Sequence, residues 1–441
     1  MDTELPDIPR KGRGAVSNQT GRFEGYNAVA LDDGWDLPPD EDLPPLRTTV
    51  TADATRTIIA RNTSPDVPFD RSINPYRGCE HGCVYCFARP THAFLGLSPG
   101  LDFESKLFYK PDAVALLEAE LGKKSYSFYV MAIGTNTDPY QPIERVYKLT
   151  RRILEVLAAH NHPVGIVTKS SLIARDIDIL GPMAEKKLAQ VCLSVTTLDH
   201  DLSRMMEPRA PTPQRRLDTI RALVDAGIPC GVMAAPMIPV LTDPELESLL
   251  EAAKDAGAHM AGYVLLRLPL EIKGLFREWL DAHAPLKADH VMNAIKAAGG
   301  GQIYDPTFGV RQRGTGVYAN LLLQRFEKAC RRLGLNGRGY RLDCTLFKPP
   351  PRPGDQMGCS NSVCQHLHDG KLHKFVPARA CRVISFADHG CARKSYRHGS
   401  CRTVGAALRH ADGAAAAAGA GRLYHRRRPA RAERLRRCRG P

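Results

Sequence analysis

Cys79, Cys83 and Cys86 stand in the spacing C-x3-C-x2-C within Asn74-Pro75-Tyr76-Arg77-Gly78-Cys79-Glu80-His81-Gly82-Cys83-Val84-Tyr85-Cys86-Phe87. Thiols this close in the chain have three uses. On a helix they would share one face as a buried stripe, but Pro75, Gly78 and Gly82 are each unfavourable in a helix interior. A structural zinc ion is the second use; it takes four ligands, usually in paired short spacings, and only His81 or a distant cysteine is available as the fourth. The third is an iron-sulfur cluster held by three thiolates, with one iron left without a protein ligand. Glycines allow a short loop to wrap such a cube, so that sulfurs a few residues apart reach different irons. Spacing alone favours the cluster and leaves zinc open.

A loop of that kind needs a scaffold, and the flanking sequence supplies one. Short apolar runs at Phe128 to Ile133, Val164 to Thr168, Val191 to Val195, Cys230 to Ala235 and Gly262 to Leu266 alternate with amphipathic segments. Such runs read as strands of a parallel sheet buried on both faces. Between them Pro111 opens a helix ending near Gly122; Val146, Leu149, Ile153 and Val156 stripe the next. Leu217, Ile220 and Val224 lead to a stop at Gly227, and Asp243-Pro244 starts another that ends at Gly257. With a first strand near Ser72 to Tyr76 this predicts six βα units. A full eight-unit barrel usually takes about 250 residues, and the region from 71 to 267 holds fewer than that, so the barrel is incomplete.

The remaining segments are read by composition. Residues 1–70 form an irregular, Pro- and Gly-rich lead-in with one short strand at Thr57 to Ala60. Residues 268–348 are a helical extension packed on the barrel, with helices at Leu275 to His283, His290 to Ala298 and Val317 to Leu333. After Pro349-Pro350-Pro351 comes a Cys-, His- and Arg-rich tail, 349–441, without hydrophobic period and read as disordered.

The chain has 441 residues, with 61 Lys plus Arg, 47 Asp plus Glu and 13 Cys. From Gln356 onward there are 18 basic and 4 acidic residues, so the whole +14 excess lies in the tail and the rest is neutral. Net charge therefore says nothing of what the barrel binds. The acidic start Met1-Asp2-Thr3-Glu4 and the lack of an apolar run of roughly 20 residues predict a cytoplasmic protein with no membrane contact. An odd cysteine count in a reducing compartment favours metal binding over disulfides. Cys192, Cys230, Cys330 and Cys344 read as buried small hydrophobes; Cys359 and Cys364 with His366 and His368 are a second zinc or cluster candidate, in a tail that reads equally as a frame-shifted extension.

The cysteine motif, with Tyr85 before its last cysteine, resembles that of the radical S-adenosylmethionine (SAM) superfamily, whose partial barrel the βα repeats also resemble. The nearest resemblance is to its spore photoproduct lyase-like branch, often labelled DNA repair photolyase, and within it to an uncharacterised bacterial subgroup. It rests on Asn74-Pro75-Tyr76-Arg77-Gly78-Cys79, Tyr85-Cys86-Phe87-Ala88-Arg89-Pro90, Thr137-Asp138-Pro139-Tyr140-Gln141-Pro142-Ile143-Glu144, Val167-Thr168-Lys169 and Gly231 to Pro239. It implies a partial (βα)6 radical SAM barrel and a 4Fe-4S cluster on Cys79, Cys83 and Cys86. It further implies SAM chelated to the open iron and reductive cleavage to a 5'-deoxyadenosyl radical, fed by a reductase or flavodoxin-type electron donor.

The same resemblance assigns further positions. Tyr85 would lie against the adenine, or merely pack the loop. Thr135 and Asp138, with Glu144, lie where relatives hold the SAM amino group, although Asp138-Pro139 is also a turn signal. Lys169 and Ser194 end successive strands on the ligand-binding side and would contact the SAM carboxylate or ribose. Arg209 would pair with a carboxylate, or form a surface ion pair. In spore photoproduct lyase a cysteine after the second strand returns a hydrogen atom to product; Thr135 stands there instead, and its O–H bond is too strong for that task. Thymine-dimer reversal is therefore not carried over, and nucleic acid is only one substrate class among those allowed. Two rivals remain: a zinc-dependent enzyme on the same cysteines, and a non-catalytic nucleic-acid binder acting through the basic tail.

Overall fold

The computed structural model describes residues 7–25, 45–337 and 340–351. Its strands are β1 (Thr49–Ala52), β2 (Ile59–Arg61), β3 (Arg71–Ile73), β4 (Tyr76–Arg77), β5 (Lys106–Tyr109), β6 (Met131–Ile133), β7 (Val164–Thr168), β8 (Ala189–Val195), β9 (Cys230–Met237) and β10 (Met260–Leu265). The larger sheet runs β10-β9-β8-β7-β6-β3-β2. From β3 to β10 every pairing in it is parallel and in chain order, and β2 adds an antiparallel edge. This is a mixed α/β fold with six parallel strands in sequence, the incomplete barrel expected from the apolar runs. A second sheet, β1-β5-β4, flanks it.

Register separates the two faces. Met131, Val164 and Ala189 share one row, and Ile133, Ile166, Val191 and Cys230 the next; all are buried in the main core beneath the helices. The opposite face carries Gly165 and Gln190, then Val167, Cys192 and Gly231, then Ser194, Met233 and Gly262. These are mostly small or polar, and most are only partly covered. The expectation of burial on both faces thus fails for one of them, because helices cover the outside while the inside borders an open lumen. Cys192 belongs to this inner face and is partly exposed, whereas Cys230 is closed in.

Several boundaries move for identifiable reasons. Phe128 and Tyr129 stand outside β6, 43% and 58% exposed, because Phe128 packs on Phe347 and Tyr129 lies under the Arg71 guanidinium. The first strand divides at Pro75, which has no N–H to donate, into β3 in the barrel and β4 in the small sheet. The stripe from Val146 to Val156 is two helices, Glu144–Tyr147 and Leu149–Ala159, split at Lys148 with φ 51°, and Val146 points out, 77% exposed. The helix Ile177–Glu185, with Pro182 inside it, has no counterpart in the sequence reading. The helical extension comprises Ile272–His283, Pro285–Ala298 and Gly316–Leu333.

The lead-in is not irregular throughout. Residues Arg13 to Ser17 are buried, β1 pairs with β5, and Ser17 Oγ donates to Glu278 Oε2 at 2.6 Å on the Ile272–His283 helix. The open seam of the barrel is spanned by residues 304–314. Leu265 N–H donates to Gln312 O at 2.8 Å on the β10 side. On the β2 side Gly309 N–H donates to Asp66 Oδ1 at 2.6 Å, and Arg311 pairs with Asp66. The tail after Pro351 lies outside the described residues, and so do Cys359, Cys364, His366 and His368.

At the opposite end of the strands the chain returns along β7. Lys348 N–H donates to His160 O at 2.9 Å, and Phe347 packs edge-on to His162 with 5.2 Å between ring centroids. His162 Nδ1 lies 3.0 Å from Pro163 O and Nε2 2.7 Å from the Tyr126 hydroxyl, partners that suit a neutral ring. Burial pushes its pKa down to about 4. A neutral histidine of depressed pKa contributes stability that is present above the unfolded value of about 6.5 and is lost as pH falls through the folded value. In denaturant unfolding between pH 7 and pH 4, the wild type is expected to lose on the order of 3 kcal/mol more than His162→Gln.

Candidate metal centre

The cysteine loop leaves β4 and turns back on itself twice. Gly78 and Gly82 have φ of 74° and 69°, a conformation that side chains rarely adopt. A Cβ on Gly78 would meet Phe103 O at 2.8 Å, and one on Gly82 would meet Glu104 Oε2 at 2.7 Å. Gly82 N–H donates to Cys79 O and Cys86 N–H to Cys83 O, while Val84 N–H reaches Met206 O at 3.1 Å. All three thiols are free; Cys79 and Cys83 are buried and Cys86 is partly so.

One buried ion pair holds this loop. Arg89 and Glu104 have no exposed side-chain surface and bond to each other. Arg89 also donates to the carbonyls of Cys83 (2.8 Å), Gly82 (3.1 Å), Pro99 (3.1 Å) and Gly100 (2.8 Å). Glu104 accepts from the backbone N–H of Gly14 at 2.9 Å and Ala15 at 2.8 Å, and Arg13 donates to Glu104 O at 2.7 Å. Every strong donor and acceptor of the pair is thereby satisfied, which a buried charge requires. The N-terminal segment lies so close that a Cβ on Gly14 would fall 1.7 Å from Gly82 O.

The barrel ends bring most of the expected positions around the loop. Lys169, just past β7, has its ammonium 5.6 Å from the Tyr85 ring centroid, 3.6 Å from Glu207 Oε1 and 3.5 Å from Ala235 O. Tyr85 OH lies 3.1 Å from Thr196 Oγ1, which donates to Glu207 Oε1 at 2.6 Å. Glu207 is completed by Arg216, which also donates to Ser194 O at 3.1 Å. Thr196, Glu207 and Arg216 were not singled out from the sequence, and Thr196 and Arg216 sit in ordinary-looking strand and helix contexts.

The other expected positions have partners of their own. Asp138 accepts from Thr168 Oγ1 at 2.7 Å and from the N–H groups of Lys169 at 2.8 Å and Tyr140 at 2.9 Å. His81 Nδ1 stands 3.5 Å from it, so Asp138 braces the loop against β7. Although burial works the other way, His81 and these donors hold its carboxyl down at about 2. Glu144 is fully buried and engaged by Tyr76 OH, Thr150 N–H and Arg175, which leaves no face for a ligand. Arg209 pairs with Glu80 at 2.6 Å, the ion-pair alternative. Thr135 Oγ1 lies 3.4 Å from Asn74 Nδ2, after β6 and beside the end of β3.

The donor set suits a multi-iron cluster. Burial raises the pKa of all three thiols, and Cys79 is raised further by Asp138 and by its two neighbouring thiols, so the sulfurs lie within electrostatic reach of one another. Lys169 counters this at Cys83 and Cys86. Among the described residues no group of three or more Cys, His, Asp or Glu stands ready to hold a metal ion. A cube asks for less convergence, because each thiolate takes a different iron.

Residues 73–253 match the family model described as the radical SAM superfamily. The chain is 41% identical over 221 residues to an uncharacterized protein of Mycobacterium tuberculosis, covering 50% of this chain and 65% of that relative. It is 30% identical over 173 residues to an uncharacterized protein of Methanocaldococcus jannaschii, covering 39% and 62%. The chain thus spans just under two thirds of these relatives. Among solved structures it is similar to a mutant spore photoproduct lyase, at 14% identity and TM-score 0.46, covering 65% of this chain and 80% of that one. Another such mutant, with bound AdoMet and dinucleoside spore photoproduct, matches at 15% identity and TM-score 0.44, covering 64% and 77%.

Replacing Arg89 leaves Glu104 charged and buried without its partner. Arg89→Met is expected to lower the unfolding free energy of the metal-free protein by about 3–5 kcal/mol, measured by urea unfolding, and Arg89→Lys to recover less than half of that loss because a lysine has no planar fork to reach several carbonyls.

Proposed function

We propose that this chain is a radical SAM enzyme in which Cys79, Cys83 and Cys86 hold a 4Fe-4S cluster whose remaining iron is left for SAM. The observation that carries the proposal is the glycine-turned loop itself, with three free thiols gathered at the ligand-binding end of a six-strand parallel barrel. When bound, the cluster would pass one electron to SAM and break a carbon-sulfur bond, giving the 5'-deoxyadenosyl radical that abstracts hydrogen from substrate.

The chain's own residues have separable tasks. Tyr85, fixed by Thr196 and with the Lys169 ammonium over its ring, presents an aromatic face for the adenine. Lys169 supplies a cation for the SAM carboxylate, and Glu207 with Arg216 keeps that cation in place. Ser194 and Thr135 offer hydroxyls at the mouth. Asp138 and Arg209 act as positioning residues, through His81 and Glu80 of the loop. Cys83 and Cys86 with Leu266, Ile238 and Trp279 lie in or against one apolar cluster, which keeps water from the reacting centre.

The electron donor is proposed to be a reductase or flavodoxin-type protein. The substrate class includes nucleic acid, and dimer reversal through a hydrogen-returning thiol is not proposed, since Thr135 has none. Among the described residues no helix is long and apolar enough to cross a membrane, and a cytoplasmic site of action is part of the proposal.

The deciding experiment is anaerobic incubation of iron- and sulfide-loaded protein with SAM and dithionite, with 5'-deoxyadenosine measured by chromatography. Wild type is expected to form it, and Cys83→Ala to fall to the level of a control without protein. A colourless, iron-free wild type after loading defeats the proposal, as does product formation undiminished in Cys83→Ala.

A further inference from the structure

β10 ends at Leu265 and is followed by Leu266-Arg267-Leu268. Leu266 and Leu268 are buried in the same apolar cluster as Cys83 and Tyr85, and Leu266 N–H donates to Met237 O at 2.9 Å. The backbone on either side of Arg267 is therefore fixed. The Arg267 guanidinium carbon sits 4.2 Å from the centroid of Phe87, the residue after Cys86.

Among the described residues, Arg267 has no hydrogen bond and no carboxylate partner. The groups that act on it are few. Burial opposes its charge, Tyr304 favours it, Arg311 repels it, and Cys86 and Asp66 favour it weakly; Asp66 is already taken by Arg311. Arg311 itself belongs to the strap across the seam and lies 4.6 Å from the ring centroid of exposed Phe308. Arg267 is partly exposed, and the five donors of a guanidinium form a fork suited to phosphate or carboxylate oxygens.

We propose that Arg267, on its Phe87 platform and with Arg311 nearby, binds an oxyanion of the substrate, a phosphoryl group in the first instance, at the mouth of the barrel. Its meaning for catalysis rests on the radical SAM reading; the binding itself does not. The same chemistry has a second source, the carboxylate of SAM, which a separate arm of the test identifies.

The full chain, metal-free and cluster-loaded, is titrated with inorganic phosphate by 31P NMR, and SAM binding is followed by equilibrium dialysis. Arg267→Gln is expected to weaken phosphate binding roughly tenfold while SAM affinity changes less than about twofold. Arg267→Lys, which keeps the charge and most of the packing, is expected to weaken it by a smaller factor. Equal phosphate binding by wild type and both variants overturns the proposal, and so does a loss confined to SAM. Absence of 5'-deoxyadenosine from wild type would defeat the radical reading and leave the phosphate titration of the metal-free protein standing.

Discussion

The contact between Arg89 and Glu104 is the constraint on which the rest of the site depends. A loop that must present three thiols cannot bury its backbone in a sheet or helix, so its carbonyls need partners from elsewhere. Arg89 supplies them for Gly82 and Cys83, and Glu104 neutralises the charge that does so. The remaining acceptor capacity of Glu104 is spent on the N–H groups of Gly14 and Ala15. One buried pair thus shapes the loop, anchors it to the Leu101–Ser105 helix and docks the N-terminal strand of chain against it.

A second set of charges does comparable work inside the barrel. Lys169 follows β7, whereas Glu207 and Arg216 both follow β8, and their mutual attraction ties these two successive βα units together. Because Thr196 joins Glu207 to the Tyr85 hydroxyl, the same chain of contacts sets where the ring of the cysteine loop lies. The cations also offset what the thiols would otherwise suffer. Burial opposes ionisation of the three neighbouring thiols, and the Lys169 ammonium favours it at Cys83 and Cys86.

How much of this could be read from sequence follows from contact range. Strands β6 to β10 announce themselves as apolar runs separated by helices, since burial against helices demands apolar side chains at short intervals. The cysteine spacing and Gly78 and Gly82 are equally local signals. Gly14 and Glu104 are 90 residues apart, and nothing in the composition near Gly14 shows that its N–H groups will complete a buried carboxylate. Glu144 and Asp138 were read as ligand groups because isolated acids near a strand end look available, yet tertiary packing gave them backbone N–H and arginine partners. Val146 failed for a narrower reason: one residue of positive φ at Lys148 broke the helix and turned its stripe outward.

Incompleteness of the barrel ties these parts together. Six parallel strands leave a seam. The seam is crossed by residues 304–314, tied to β10 at Leu265 and to Asp66 beyond β2. A crossing built from a loop places side chains where an added strand would have placed backbone, and Phe308 and Arg311 occupy that position. Arg267, two residues past the end of β10, lies over the ring of Phe87. Recognition of substrate charge at the seam, and chemistry at the cysteine loop, would then be set by different segments of one fold.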